Sequence, residues 1–227
     1  MKKFFIAVFF IMVAVGTFGT TLYAEDYKYT TIAYDYNGAN SGRCAEYPTG
    51  DGILLGGVPF SIPTGLNTWD SNTGSGTKTL TIAMNLYGVT EVDTLINTSW
   101  GYNGSQVASM TFIGSEGATY TKTFVGGYDI RDWYHGSYIN SLSSPNSMNV
   151  YDNGWACVDK QLIPLPDEFK SQYLTSVIMS DWGAEYSSRT YLYGLTAKSL
   201  STPEPVSSAL FLLGGVSLAF ARRKKNR

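Results

Sequence analysis

Histidine and cysteine are scarce in this chain of 227 residues, and their scarcity restricts its chemistry. His135 is the single histidine, and Cys44 and Cys157 are the only cysteines. This excludes a zinc site built from several imidazoles or from a C-x-x-C pair. A Ser/His/Asp triad would depend on one ring, and no G-x-S-x-G elbow is present. We therefore expect a protein without enzymatic activity.

Carboxylates leave one enzymatic alternative open. Glycosidases act through two acidic side chains on either side of the scissile bond. Glu91, Asp93, Glu116 and Asp129 are available, but no spacing singles out two of them. A secreted hydrolase acting on polysaccharide is the alternative to a noncatalytic protein.

Charged residues make up only 15% of the chain and are unevenly distributed. Residues 25–201 contain nine Lys and Arg against 17 Asp and Glu, a net charge of −8, whereas the whole chain has −2. An acidic body disfavours binding to nucleic acid and, by charge, to anionic lipid. Its length suits one domain with a sizeable core.

The first 24 residues have the pattern of a secretory signal peptide. Met1-Lys2-Lys3 is positively charged, residues 4–15 are apolar, and Ala24 is a small residue before the predicted cut. An uncleaved N-terminal anchor is the alternative.

Export would bring the chain into an oxidising compartment, where we expect a disulfide between Cys44 and Cys157. Two unpaired thiols stay open, because the sequence does not show that they meet.

The C-terminal segment 202–227 has three parts in a fixed order. They are the tripeptide Pro203, Glu204 and Pro205, the uncharged apolar stretch 206–221, and a basic cluster that begins with Arg222 and Arg223. The prolines keep the preceding backbone extended. As a helix the apolar stretch would reach roughly 24 Å, somewhat short of the ~30 Å hydrocarbon core. We predict a single short transmembrane helix with its basic end in the cytoplasm; an ordinary unprocessed anchor is the alternative.

This three-part arrangement resembles the PEP-CTERM sorting signal of exported bacterial proteins. The resemblance covers residues 203–227 and implies processing by an exosortase, a membrane-embedded enzyme. It further implies that the inner membrane holds the chain before processing, and that the body then lies at the cell surface or is secreted.

Short runs rich in Thr, Val, Ile, Tyr and Phe alternate with glycine-containing turns between residues 79 and 197. The predicted strands are 79–86, 89–96, 107–113, 118–125, 174–180 and 190–197. This spacing favours an all-β antiparallel sandwich over residues 25–201. Residues 166–173 predict one or two helical turns. We interpret 36–52 and 141–153 as loops and 199–202 as a linker.

Three strings in the body are similar to galactose-binding-like jelly rolls. They are 57–60 (GVPF), 92–101 (VDTLINTSWG) and 124–132 (FVGGYDIRD). Domains of that kind are often carbohydrate-binding modules, so the resemblance implies a sandwich and, more distantly, glycan binding.

Within residues 25–201, the stretch 129–138 has the densest grouping of charged and aromatic side chains. Two neighbouring aromatic rings would stack on a sugar face while acidic and guanidinium groups bond its hydroxyls. The candidate ligand-binding residues are Trp100, Tyr102, Asp129, Arg131, Asp132, Trp133 and Tyr134. The alternative is that these residues have a structural role and bind no ligand. In this structural alternative, Arg131 pairs with Asp129 or Asp132 to fix the loop, and Trp133 covers the core.

No cofactor is expected. Asp70 opens a run with oxygen ligands at alternate positions, but the Glu that completes an EF-hand loop is missing. Calcium at this run, or at Asp129 and Asp132, stays open. Together these features predict an exported, exosortase-processed, noncatalytic component of an extracellular polysaccharide matrix, with weak glycan binding; a purely structural surface protein is a third possibility.

Overall fold

A computed structural model describes residues 27–32, 47–62, 68–71, 76–100, 103–135, 141–183 and 188–200. These residues form twelve β-strands and one short 3₁₀ helix, Asp167–Ser171. The strands are β1 (Tyr27–Ile32), β2 (Gly50–Leu55), β3 (Val58–Ile62), β4 (Trp69–Asp70), β5 (Lys78–Tyr87), β6 (Val89–Ser99), β7 (Gln106–Gly114), β8 (Thr119–Val125), β9 (Ser147–Asp152), β10 (Cys157–Pro164), β11 (Tyr173–Asp181) and β12 (Arg189–Leu200).

Two antiparallel sheets face each other as a sandwich. One has the order β1-β12-β6-β10-β9, with β4 added beside β12, and the other has the order β5-β11-β7-β8. Side chains at alternate positions of β7, such as Met110 and Phe112, are fully buried, as a strand with one face in a core requires. The main core lies between the sheets and includes Ile96, Val177 and Leu195.

A second core covers the other face of the six-stranded sheet. Here β2 and β3 form a hairpin whose two-residue turn, Gly56-Gly57, has positive φ at both positions, 56° and 79°. This conformation matches the twist of a tight hairpin and favours glycine. Thr196 Oγ1 on β12 donates a hydrogen bond to the carbonyl of Pro59 at 2.6 Å, which ties the hairpin to the sheet. Central strands β6 and β12 are consequently buried on both faces.

The structure confirms the predicted all-β antiparallel sandwich. Each of the six predicted strands corresponds to an observed one, β5, β6, β7, β8, β11 and β12, and the predicted helical turns correspond to the 3₁₀ helix. Three other predictions need correction. The loop predicted over 141–153 contains β9, the loop predicted over 36–52 ends inside β2, and the linker predicted from residue 199 begins inside β12, which pairs as far as Leu200.

The predicted signal peptide, residues 1–24, and the predicted sorting segment, residues 202–227, lie outside the described residues. Within the ranges that are described, no helix is long and apolar enough to cross a membrane.

We expect Phe112→Ala to lower the free energy of unfolding by about 3–5 kcal/mol, because it leaves a cavity in the main core. Phe112 is fully buried and stacks against Tyr120 with ring centroids 6.1 Å apart. Urea titration followed by tryptophan fluorescence measures the effect. Thr111→Ala is the matched control, since Thr111 only shares an exposed hydroxyl contact with Thr121. We expect it to cost less than about 1 kcal/mol, and equal losses would contradict this core.

Candidate functional site

The segment 131–135 completes one end of the six-stranded sheet. The amide of Trp133 donates to the carbonyl of Thr98 at the end of β6, and the amide of Cys157 at the start of β10 donates to the carbonyl of Trp133. Short bridges join Asp132 to Thr98 and Tyr134 to Ala156. The segment therefore lies between β6 and β10 as a short additional strand, and the sheet fixes its side chains.

The Arg131 side chain turns into the protein. Its Nε and a terminal nitrogen donate to the two carboxylate oxygens of Asp159 on β10 at 2.7 and 2.8 Å, a bidentate ion pair. Asp159 also accepts bonds from the side-chain amides of Asn97 at 2.8 Å and Asn149 at 3.1 Å. These contacts hold the pKa of Arg131 above its usual value. The prediction that Arg131 pairs with Asp129 or Asp132 is wrong, because β10 supplies a better-placed carboxylate.

Asp129 and Asp132 are also occupied by protein groups. Asp129 accepts from Lys122 Nζ at 2.7 Å and from the amide of Val125 at 3.1 Å. Asp132 accepts from the amide of Trp100 at one oxygen and from the amide of Tyr134 at the other, both at 2.8 Å. Both carboxylates are buried. They position the loops instead of presenting free oxygens to a sugar.

Two aromatic side chains lie exposed above a third. Trp133 is buried in the second core, whereas Tyr134 is 48% and Trp155 38% exposed. The rings of Tyr134 and Trp155 each lie 5.7 Å from that of Trp133 and 6.4 Å from one another. Trp155 follows a tight turn in which Asn153 Oδ1 accepts the amides of Trp155 and Ala156. The structural alternative for Trp133 is thus supported, and Tyr134 with Trp155 forms the accessible surface.

Trp100 lies beside this surface and is 52% exposed. Its φ of 63° is unusual for a bulky residue. The bond from its amide to Asp132 holds it there, and the same carboxylate holds Tyr134. The backbone amides of Trp100 and Tyr134 are thus held by one carboxylate, while their role in ligand binding stays a prediction. We call Trp100, Tyr134 and Trp155 the aromatic patch.

A histidine and a carboxylate border the aromatic patch. His135 Nε2 lies 3.1 Å from both carboxylate oxygens of Asp152, and both side chains are partly exposed. The amide of Gly154, and secondarily His135, lowers the pKa of Asp152. The amide of His135 donates to the carbonyl of Trp155. The His135–Asp152 contact gives the patch a polar rim.

Cys157 is buried, and its thiol form donates a hydrogen bond to the carbonyl of Asp132 at 3.6 Å. Burial raises its pKa to about 12, so it is a poor nucleophile. The predicted partner Cys44 lies outside the described residues, and the disulfide stays a prediction. Tyr102 also lies outside them.

The residues considered for calcium have protein partners. Asp70 lies 3.7 Å from Arg189, and the neighbouring Ser71 hydroxyl donates to Asp181 at 2.7 Å. Residues 72–74 lie outside the described ranges. Over the ranges that are described, no three His, Cys, Asp or Glu side chains converge as metal ligands.

A groove of about 300 Å³ lies at the opposite end of the sandwich. Lys28, Leu86, Tyr87, Tyr173 and Leu200 are among the residues that line it. It holds no carboxylate, so the paired acids of a glycosidase are not found in this groove.

Trp155, Asp159 and Asn97 were missed from the sequence. The Asn153-Gly154 pair is a turn signal that predicts the hairpin carrying Trp155. Asp159 and Asn97 had no such signal, because each lies in a strand whose two faces are buried.

No protein-family model and no curated protein matches the chain. Among solved structures, it is similar to the structure of the infectious bursal disease virus Gt strain, with 16% identity and a TM-score of 0.31 over 61% of this chain and 30% of that one. The crystal structure of the VP2 subviral particle of infectious bursal disease virus gives 11% identity and a TM-score of 0.23 over 88% and 49%. The chain thus spans about half or less of these proteins, and the likeness is too distant to identify a family.

We expect Arg131→Met to lower the free energy of unfolding by about 3–5 kcal/mol, because the buried Asp159 charge loses its cation. Arg189→Met is the control. Its partner Asp70 is 3.7 Å away and Arg189 is more exposed, so a loss below about 1 kcal/mol is expected. Urea titration of both variants measures the difference. Similar small losses would show that the Arg131–Asp159 pair does not fix the segment.

Proposed function

We propose that this protein is an exported, noncatalytic component of an extracellular matrix whose jelly-roll-like sandwich binds polysaccharide through the aromatic patch. The observation that carries the proposal is the exposure of Tyr134 and Trp155, whose rings lie 6.4 Å apart and each 5.7 Å from that of the buried Trp133. Exposed rings with a polar rim suit the apolar face and the hydroxyls of a sugar.

The surroundings of the patch favour binding over catalysis. Asp129, Asp132 and Asp159 are buried and their oxygens accept bonds from protein groups. Asp152, which is exposed, is in contact with His135 and the Gly154 amide. A glycosidase needs two carboxylates facing the substrate across a gap, and the described part of the patch offers one.

The sorting segment supplies the second part of the proposal. The chain is inserted into the inner membrane through residues 206–221, and an exosortase recognises Pro203, Glu204 and Pro205 and removes the residues that follow them. The direction of β12 supports an orientation in which the aromatic patch lies far from the membrane. Its first residue, Arg189, pairs with Ser99 beside the patch, and its last, Leu200, pairs with Tyr27 at the opposite end. Twelve residues of strand span roughly 40 Å, so a tail-held chain would present the patch away from the membrane.

Glycan binding is tested by affinity electrophoresis through gels that contain purified bacterial exopolysaccharides or plant glucans, one per gel. We expect at least one polymer to retard the protein, and Tyr134→Ala or Trp155→Ala to weaken that binding about tenfold, as the loss of one stacked ring implies.

Tyr173→Ala is the matched control for Tyr134→Ala, since Tyr173 is 46% exposed but lies at the opposite end of the sandwich. It should leave retardation unchanged. Equal effects of the two substitutions, or no retardation by any polymer, would refute the patch as a glycan site. Release of reducing sugar from a polymer would favour the hydrolase instead.

Tail processing is tested by intact-mass spectrometry of the protein purified from its native host. We expect the mature form to lack the residues after the sorting motif, because the exosortase removes them. A variant with alanine at Pro203, Glu204 and Pro205 should keep them. If every wild-type molecule still ends at Arg227, processing does not occur.

A further inference from the structure

A lysine and an aspartate meet inside the second core. Lys160 Nζ on β10 lies 3.3 Å from Asp93 Oδ1 on β6, and the two residues are 7% and 0% exposed. In the register of these neighbouring strands, Asp93 lies opposite Leu162 and Lys160 lies opposite Leu95. The pair are therefore diagonal neighbours on one face, within reach of a long side chain.

The pair is removed from water, with apolar side chains on one side. Thr196 on β12 lies opposite Asp93, and the Glu91–Lys198 ion pair lies next to them on the same face. Leu95, on the same face of β6 as Asp93, packs in the second core with Phe60 and Val158. Among the described residues, neither oxygen of Asp93 accepts a regular hydrogen bond. Lys160 Nζ donates to the carbonyl of Gly56 at 3.1 Å, which holds the amine in place. The carboxyl group thus faces a fixed amine in a dry site.

Burial favours the neutral form of the Asp93 carboxyl group. It raises the pKa of Asp93, against the opposing effect of Lys160. Proton transfer from the ammonium group to the carboxylate within the pair gives a free amine beside a carboxylic acid. These are the reactants of amide formation, and proximity in a folded site is equivalent to a very high local concentration, on the order of 10⁵ M or more.

We propose that Lys160 and Asp93 become joined by an amide bond between Nζ and the side-chain carboxyl carbon. The amine nitrogen attacks that carbon, the bond between carbon and hydroxyl breaks, and the hydroxyl leaves with one amine proton as water. One N–C bond replaces one C–O bond, so no oxidant, reductant or other reactant is needed. The product is a covalent link between β6 and β10 that restricts the unfolded chain.

The link is tested on the purified full-length protein, reduced to remove any disulfide, denatured and digested with trypsin. Trypsin does not cleave after a lysine whose amine is acylated. We expect a branched species in which residues 79–122 are joined to residues 132–170, lighter by one water than the two peptides together. Fragmentation should locate the junction at Asp93 and Lys160.

Lys198 is the internal control in the same digest. It lies 3.0 Å from Glu91 but is more exposed to water, so it should stay cleavable and release residues 190–198 as a linear peptide. Lys160→Arg and Asp93→Ala should each abolish the branched species. The wild-type digest decides the question even where a variant fails to fold. Linear peptides 132–160 and 161–170 as the sole products of folded wild-type protein would overturn the proposal.

Discussion

The buried carboxylate of Asp159 fixes the geometry on which the rest of the site depends. It accepts two bonds from Arg131 and one each from Asn97 and Asn149, so that β6, β9, β10 and the segment after β8 meet at one charge. A charge removed from water is tolerated only when it is paired and bonded. The segment 131–135 therefore has one favourable position, and the burial of Trp133 and the exposure of Tyr134 follow from it.

The polar interior has an architectural cause. A sandwich sheet normally presents one face to the core and the other to water, but here the β2–β3 hairpin covers the outer face of the six-stranded sheet. Polar side chains on that face, Asp93, Asn97 and Lys160 among them, are buried and need partners within the protein. This accounts for the paired carboxylates and amides around the second core, and it places Lys160 against Asp93.

The same arrangement explains what sequence reasoning could and could not find. Strand β7 alternates apolar and polar residues and has one buried face, so its prediction was confirmed. Strand β10 reads Cys-Val-Asp-Lys-Gln-Leu-Ile-Pro, and its polar residues are as buried as its apolar ones, so no alternation marks it. Proximity in the sequence predicts the wrong partner for Arg131, because Asp159 lies 28 residues away and is brought close only by the sheet. Trp155 is isolated in sequence, and the hairpin alone brings it to Tyr134.

If the proposed function holds, a shallow site of this kind would bind a single sugar weakly, for a physical reason. The aromatic patch has rigid support, since Asp132 fixes the amides of Trp100 and Tyr134 and the Asn153 turn fixes Trp155. Little ordering is then required when a ligand arrives. Two rings without a deep pocket nevertheless bury little of a sugar, so affinity for a single unit stays low. A polysaccharide repeats its unit, and in the proposed function many copies of the protein lie at the cell surface. Simultaneous contacts between a repeated ligand and a repeated site raise retention by orders of magnitude without any new contact, so a weak patch would suffice for the proposed role in a matrix.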